Sequence, residues 1–228
     1  MKIVISHGSG GIGTAETFAR EFFESNGYEV HLIDYFTPHG IRNLAWGAGK
    51  YQDHHDCTFS EMFNVDFPEG DIIHIGFSLG AFLGIINHER FVHNYLFYPG
   101  CIAFTQSMLE KDYTNASVIV GTEDTGQNKY EAFKKMLKHP PAMHYYLAGA
   151  HHAFMITDID KQFDMVRYGI PKGVMDQQEF DELKPNHKYL SERYGHKTLR
   201  TILKSNNDYR MQYLTMIEEE IREHRTKV

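Results

Sequence analysis

The sequence predicts an α/β fold, a mostly parallel β-sheet with helices on both faces. Three observations carry that prediction. Residues 1–35 read strand, glycine loop, helix, strand; residues 71–84 read strand, sharp turn, helix; and further short apolar strands separated by helical periods recur as far as residue 147. A strand–helix–strand order needs a crossover connection, which makes neighbouring strands parallel and buries both faces of the sheet. No Pro-, Gly- or Ser-rich linker divides the 228 residues, so 1–228 is read as a single domain with a full core.

Taken in order, Lys2 to Ser6 is a brief β-branched apolar run that flows into His7-Gly8-Ser9-Gly10-Gly11-Ile12-Gly13. From Thr14 the period becomes helical, with Ala15, Phe18, Ala19 and Phe22 on one face and Gly27 where a C-terminal cap belongs. Tyr28 to Tyr35 is the next strand. Residues 36–70 have no clear period; they hold the single tryptophan, Trp46, and the cluster Asp53-His54-His55-Asp56-Cys57. Imidazole, carboxylate and thiolate all ligate zinc, but adjacent residues on an extended segment point to opposite sides and no second pair follows at ligand spacing. A solvated loop is the better reading, and no metal site is expected.

The apolar run Ile72-Ile73-His74-Ile75 then meets Gly76-Phe77-Ser78-Leu79-Gly80, and a helix rich in alanine, leucine and glycine follows. Phe91 to Tyr98 is a strand ending at Pro99-Gly100, residues 101–116 a short connection, Ser117 to Gly121 a strand, Lys129 to Lys138 a helix and Met143 to Leu147 a strand. Beyond these lies an extended excursion at about 157–207, whose charged, tyrosine-rich part, Asp176 to Arg200, reads as partly helical. The connection at 101–116 is short, so residues 157–200 are the segment that could roof a site or make a homodimer contact. Asp208 to His224 reads as a closing helix, with Met211, Leu214, Ile217 and Ile221 as its apolar stripe.

Composition narrows the partners. The net charge is −7 with lysine and arginine scattered along the chain, and the isoelectric point is near 6.1. That argues against a nucleic acid or an anionic membrane as partner and for a small molecule. Two cysteines cannot make a disulfide framework, and the opening MKIVIS has no signal-peptide core, so the expected compartment is the cytoplasm.

A serine on a sharp strand-to-helix turn is forced into a strained backbone with its hydroxyl above the sheet edge, and glycines two positions either side let strand and helix pass each other. Ser78 is therefore a candidate nucleophile. A serine nucleophile needs a base for its proton and a carboxylate to hold that base in the right tautomer. Asp124 and His152 each follow a strand and would lie at the same sheet edge; Glu123 and His151 are their rivals. Gly8, Gly10 and Gly13, with Asp34 ending the next strand, also match a dinucleotide-binding fingerprint, and an NAD(P)-dependent oxidoreductase is the competing reading. His7 reads as a loop brace, and Cys57 and Cys101 as inert thiols.

The segments HGSGG, GFSLG, the G-x-x-D of Gly121 to Asp124 and the HAF of His152 to Phe154 resemble the α/β-hydrolase superfamily, over roughly residues 1–156. GTEDTG and AGAHHAF are similar, more narrowly, to its dienelactone hydrolase-like branch. The resemblance implies an α/β-hydrolase fold with Ser78 as nucleophile, Asp124 as acid, His152 as base, and an oxyanion hole from the backbone N–H groups of Leu79 and Ser9. It implies a serine hydrolase that cleaves a small ester, thioester or lactone through an acyl-enzyme without a cofactor. The chain departs from the branch in using Ser78 where the founding members use cysteine, and in having Ile156 where their substrate-carboxylate arginine stands. It also lacks the antiparallel strands that usually open the fold. A non-catalytic binding module on the same scaffold is a third reading.

Overall fold

A computed structural model describes residues 1–44, 56–125, 128–171 and 173–226. Its centre is a six-stranded sheet formed by β1 (Lys2–Ser6), β2 (Glu29–Ile33), β3 (Ile72–Phe77), β4 (His93–Phe97), β6 (Ala116–Gly121) and β7 (Met143–Leu147). The strand order is β2-β1-β3-β4-β6-β7 and every pairing is parallel. β3 and β6 are buried at all positions, as strands covered on both faces must be. The chain runs outward from β1 to β2 and then returns to β3, so the order reverses between β1 and β3. A crevice opens at the carboxyl ends of strands at such a switch point. The loop after β1 and the turn after β3 border it.

Helices fill both sides. On one face α1 (Thr14–Ser25) and α8 (Asn207–Thr226) bury Ala15, Ala19 and Phe23 with Leu214, Ile217 and Ile221 against Ile3, Ile5, Ile73 and Ile75. On the other lies α3 (Leu79–Ile86), apolar all round and buried from Leu79 to Ile85, as a helix enclosed by the core has to be. Beside it pack α2 (Phe59–Phe63), the short β5 (Phe104–Thr105), α4 (Gln106–Glu110) and α5 (Asn128–Met136). The stripe expected on α8 is offset. Met211 is 44% exposed, and Arg210 is buried instead, its guanidinium 4.5 Å from the centre of the Phe18 ring. Arginine can cover apolar surface with its stem and stack its head, which a hydrophobic pattern does not register.

The excursion is not chiefly helical. It is led by an antiparallel ribbon of two nine-residue strands, β8 (Asp160–Tyr168) and β10 (His196–Lys204). Between them lie β9 (Val174–Met175), α6 (Gln177–Asp181) and α7 (His187–Tyr194). β9 pairs with β5 and ties the excursion to the connection at 101–116. Asp176 and Asn186 cap α6 and α7 by accepting backbone N–H groups. In the cluster at 53–57, residues 53–55 lie outside the described residues, as does Trp46. Among the described residues, no three metal-ligating side chains converge, and no helix is long and apolar enough to cross a membrane.

Candidate active site

Ser78 caps α3 with φ 52° and ψ −106°, outside the regions open to an ordinary L-residue. The two flanking glycines make that turn possible. A Cβ on Gly76 would lie 2.6 Å from the Ala81 Cα, and one on Gly80 2.3 Å from the Ser6 carbonyl oxygen. Ser78 N–H donates to the Phe97 carbonyl and Gly100 N–H to the Ser78 carbonyl, which fixes the turn to the end of β4.

The Ser78 Oγ lies 3.1 Å from His152 Nε2, and His152 Nδ1 lies 2.7 Å from Asp124 Oδ2. A carboxylate can only accept, so Nδ1–H is the donor to Asp124 and the Nε2 lone pair faces the serine hydroxyl. The Asp124 carboxylate is fully enclosed and the imidazole 13% exposed. Glu123 and His151, the sequence rivals, are not part of this line: Glu123 is exposed, with its N–H on the Ala150 carbonyl. The Tyr98 ring meets the imidazole edge-on at 4.9 Å, and Tyr98 and Ala153 join Ser78 with positive φ. With Asp158 as the fourth, three of the four non-glycine residues with positive φ among the described residues thus fall at this site, as happens where the surrounding fold imposes the geometry.

Beneath the turn, a buried polar chain pins three strands and a helix together. His74 Nε2 lies 2.6 Å from Ser6 Oγ, its Nδ1 2.6 Å from Asn94 Oδ1, and Asn94 donates to the Gly84 carbonyl. Burial pushes the His74 imidazole down to about 4, so it is neutral.

Leu79 N–H and Ser9 N–H both border the cleft, and neither donates to a protein acceptor among the described residues. The first N–H groups of a helix have no partner within it, which leaves Leu79 N–H available. Neighbouring amides are committed: Gly8 N–H and Gly13 N–H donate to the two oxygens of Glu16. That acid stands where a dinucleotide's pyrophosphate would have to sit. Asp34, the other half of the fingerprint, accepts from Phe36 N–H and Thr37 N–H and from the Thr37 hydroxyl, capping its own turn. His7 is fully buried, stacked on Tyr35 at 4.0 Å, and braces the loop. Cys101 borders the cleft, but burial pushes its thiol up to about 12, so it is not a thiolate.

The cleft has a volume of about 480 Å3. Its floor is Ser78, Leu79, Gly100 and His152, and its roof comes from Met165 to Pro171 on β8 and beyond, with Leu190 of α7 and Lys197 and Leu199 of β10. Sequence reading missed Arg167, Lys197, Tyr98 and Gly100 as contributors. Gly100 had a signal in its place directly after a strand-ending Tyr98-Pro99; the ribbon residues had none.

No protein-family model matches the chain, and comparison with curated proteins found no match. Among solved structures, the chain is similar to one described under LipS and LipT, two metagenome-derived lipolytic enzymes, at 15% identity and TM-score 0.43, covering 69% of this chain and 87% of that one. It is also similar to Est1E from Butyrivibrio proteoclasticus, at 14% identity and TM-score 0.42 over 66% of this chain and 78% of that one. The same protein with ferulic acid bound gives 13% identity and TM-score 0.44 over 69% and 83%. At that distance, the chain's own geometry has to carry the functional reading.

Proposed function

We propose that this chain is a serine hydrolase of the α/β-hydrolase kind that cleaves a small ester, thioester or lactone through an acyl-enzyme. The observation that carries the reading is the unbroken line from Ser78 Oγ through the His152 imidazole to the enclosed Asp124 carboxylate, at the mouth of a mainly apolar cleft. In the reaction, Ser78 Oγ attacks the carbonyl carbon as His152 Nε2 takes its proton. The oxyanion draws on Leu79 N–H and Ser9 N–H. His152 then passes the proton to the leaving alcohol or thiol, leaving the acyl group on Ser78. Water, deprotonated by the same imidazole, attacks the acyl-enzyme, and the proton returns to Ser78. Asp124 holds the tautomer and stabilises the imidazolium in both halves. No step uses a metal or an organic cofactor.

The NAD(P) reading is the weaker one, because Glu16 and the Thr37 turn occupy the groups it needs. The decisive experiment is Ser78→Ala. Hydrolysis of p-nitrophenyl acetate and covalent labelling by a fluorophosphonate should both disappear while the melting temperature holds. Unchanged turnover in that variant removes the proposal.

A further inference from the structure

The cleft beside Ser78 is cationic in a chain that is acidic overall. Among the described residues, its lining carries Lys129, Arg167 and Lys197 and no aspartate or glutamate, against a net charge of −7 for the whole sequence. Lys129 is tied down, its Nζ donating to the Ile102 carbonyl at 2.6 Å. The other two are directly opposite one another on the ribbon, Arg167 of β8 in register with Lys197 of β10. Like charges in that relation repel. Farther along the same ribbon, Arg200 is in register with Asp164 and paired with it at 3.0 Å, so the ribbon can satisfy a cation where it needs to. Among the described residues, neither the Arg167 nor the Lys197 side chain has an acid or hydrogen-bond partner.

Arg167 is also close to the chemistry. Burial lowers its pKa, and the carboxylate whose charge opposes that effect is Asp124. Asp124 is already bonded to His152, and a bare cation in its field works against the imidazolium that must form there. Arg167 is half-buried, and a partly desolvated guanidinium with no direct ion-pair partner gains when a group of opposite charge arrives beside it. A bound carboxylate would meet the guanidinium fork with both oxygens, take the Lys197 charge alongside, and cancel the field on His152.

Building on the serine-hydrolase reading, we propose that Arg167 and Lys197 form a carboxylate subsite. The preferred substrate is then an ester or thioester that carries a carboxylate away from the scissile bond.

The test compares monoethyl succinate, glutarate and adipate with the ethyl esters of the corresponding amides, and 4-acetoxybenzoate with 4-acetoxybenzamide. Acid release is followed in a pH-stat. The readout is the ratio of kcat/KM for acid over amide, which cancels any general loss of activity. In the wild type at least one pair should favour the acid. Arg167→Gln should cut that ratio about 30-fold, or about 2 kcal/mol for a lost charge-assisted bond, mainly through KM. Lys197→Gln should cut it less. Should Arg167→Gln not fold, Arg167→Lys keeps the charge but loses the fork, and should give an intermediate ratio. If Ser78→Ala still cleaves these esters, the hydrolase reading itself falls. If the neutral esters are cleaved through Ser78 but no pair favours the acid, or neither Arg167 variant moves the ratio, the subsite alone is overturned.

Discussion

Replacing Asp124 with asparagine removes one charge and almost no volume, so it isolates the electrostatic part of the line. The carboxylate is fully enclosed and the imidazole it faces is 13% exposed, at 2.7 Å between Nδ1 and Oδ2. For charge centres about 4 Å apart in a medium of effective dielectric about 20, the attraction between carboxylate and imidazolium is about 4 kcal/mol. Losing it should slow attack by Ser78 about 1,000-fold. The new amide can also turn its NH2 towards Nδ1, which favours the tautomer that cannot accept the serine proton and deepens the loss. The assay is kcat/KM for p-nitrophenyl acetate, together with the second-order rate of fluorophosphonate labelling, with the melting temperature as the check on folding. Glu123→Gln is the control. Its side chain is exposed, and activity should stay within about twofold, as for a surface substitution away from the site. A folded Asp124→Asn variant that loses less than about tenfold, or a Glu123→Gln variant that loses more, refutes the assignment.

Two further outcomes follow from the geometry. Gly100→Ala would bring a Cβ to 3.0 Å from Ser78 Oγ and 3.2 Å from Leu79 N, crowding nucleophile and oxyanion donor together. Its kcat should fall by about tenfold or more with the melting temperature little changed, and an unaffected kcat would show that the turn has room to spare. His74 predicts acid sensitivity of the fold. Its imidazole titrates at about 4 when buried, against an ordinary value of 6.5. Between those values the unfolded chain binds a proton that the native state refuses, so this contribution is whole above pH 6.5 and is lost as pH falls towards 4. The span amounts to about 3 kcal/mol, or about 6–12 °C in melting temperature for a chain of this size. His74→Gln should melt lower at neutral pH and show a shallower fall between pH 6.5 and 4.5; equal slopes in the two proteins would sink that account.

What could be read from the residues and what could not divides along a physical line. β7 falls on Met143–Leu147 as its apolar run indicates, and the Gly76-to-Gly80 turn is legible because each of its residues is there for a local steric reason. The same holds for Gly27, which ends α1 with φ 81°. The ribbon was illegible. Its two strands pair across the intervening 169–195, so no hairpin turn marks them, and most of β10 is exposed, which removes the apolar alternation that identifies a half-buried strand. Helix α8 was legible in extent but not in rotation, because Arg210 occupies a buried position by stacking on Phe18 while Met211 faces water. The convergence of Asp124 rather than Glu123 on His152 depends on where a turn leaves the end of β6, which no periodicity encodes. Arg167 and Lys197 were hidden for the same reason as the ribbon that carries them.

The root of that ribbon is fastened in an unexpected place. Leu203 of β10 forms a β-bridge with His152 itself. The ribbon that roofs the cleft is therefore joined directly to the backbone of His152, in addition to its tie through β9 and β5. A displacement of the ribbon root bears on the backbone that carries the imidazole. On the proposed reading, a substitution at Leu203, which does not line the cleft, should therefore register as a change in catalytic rate through the placement of His152.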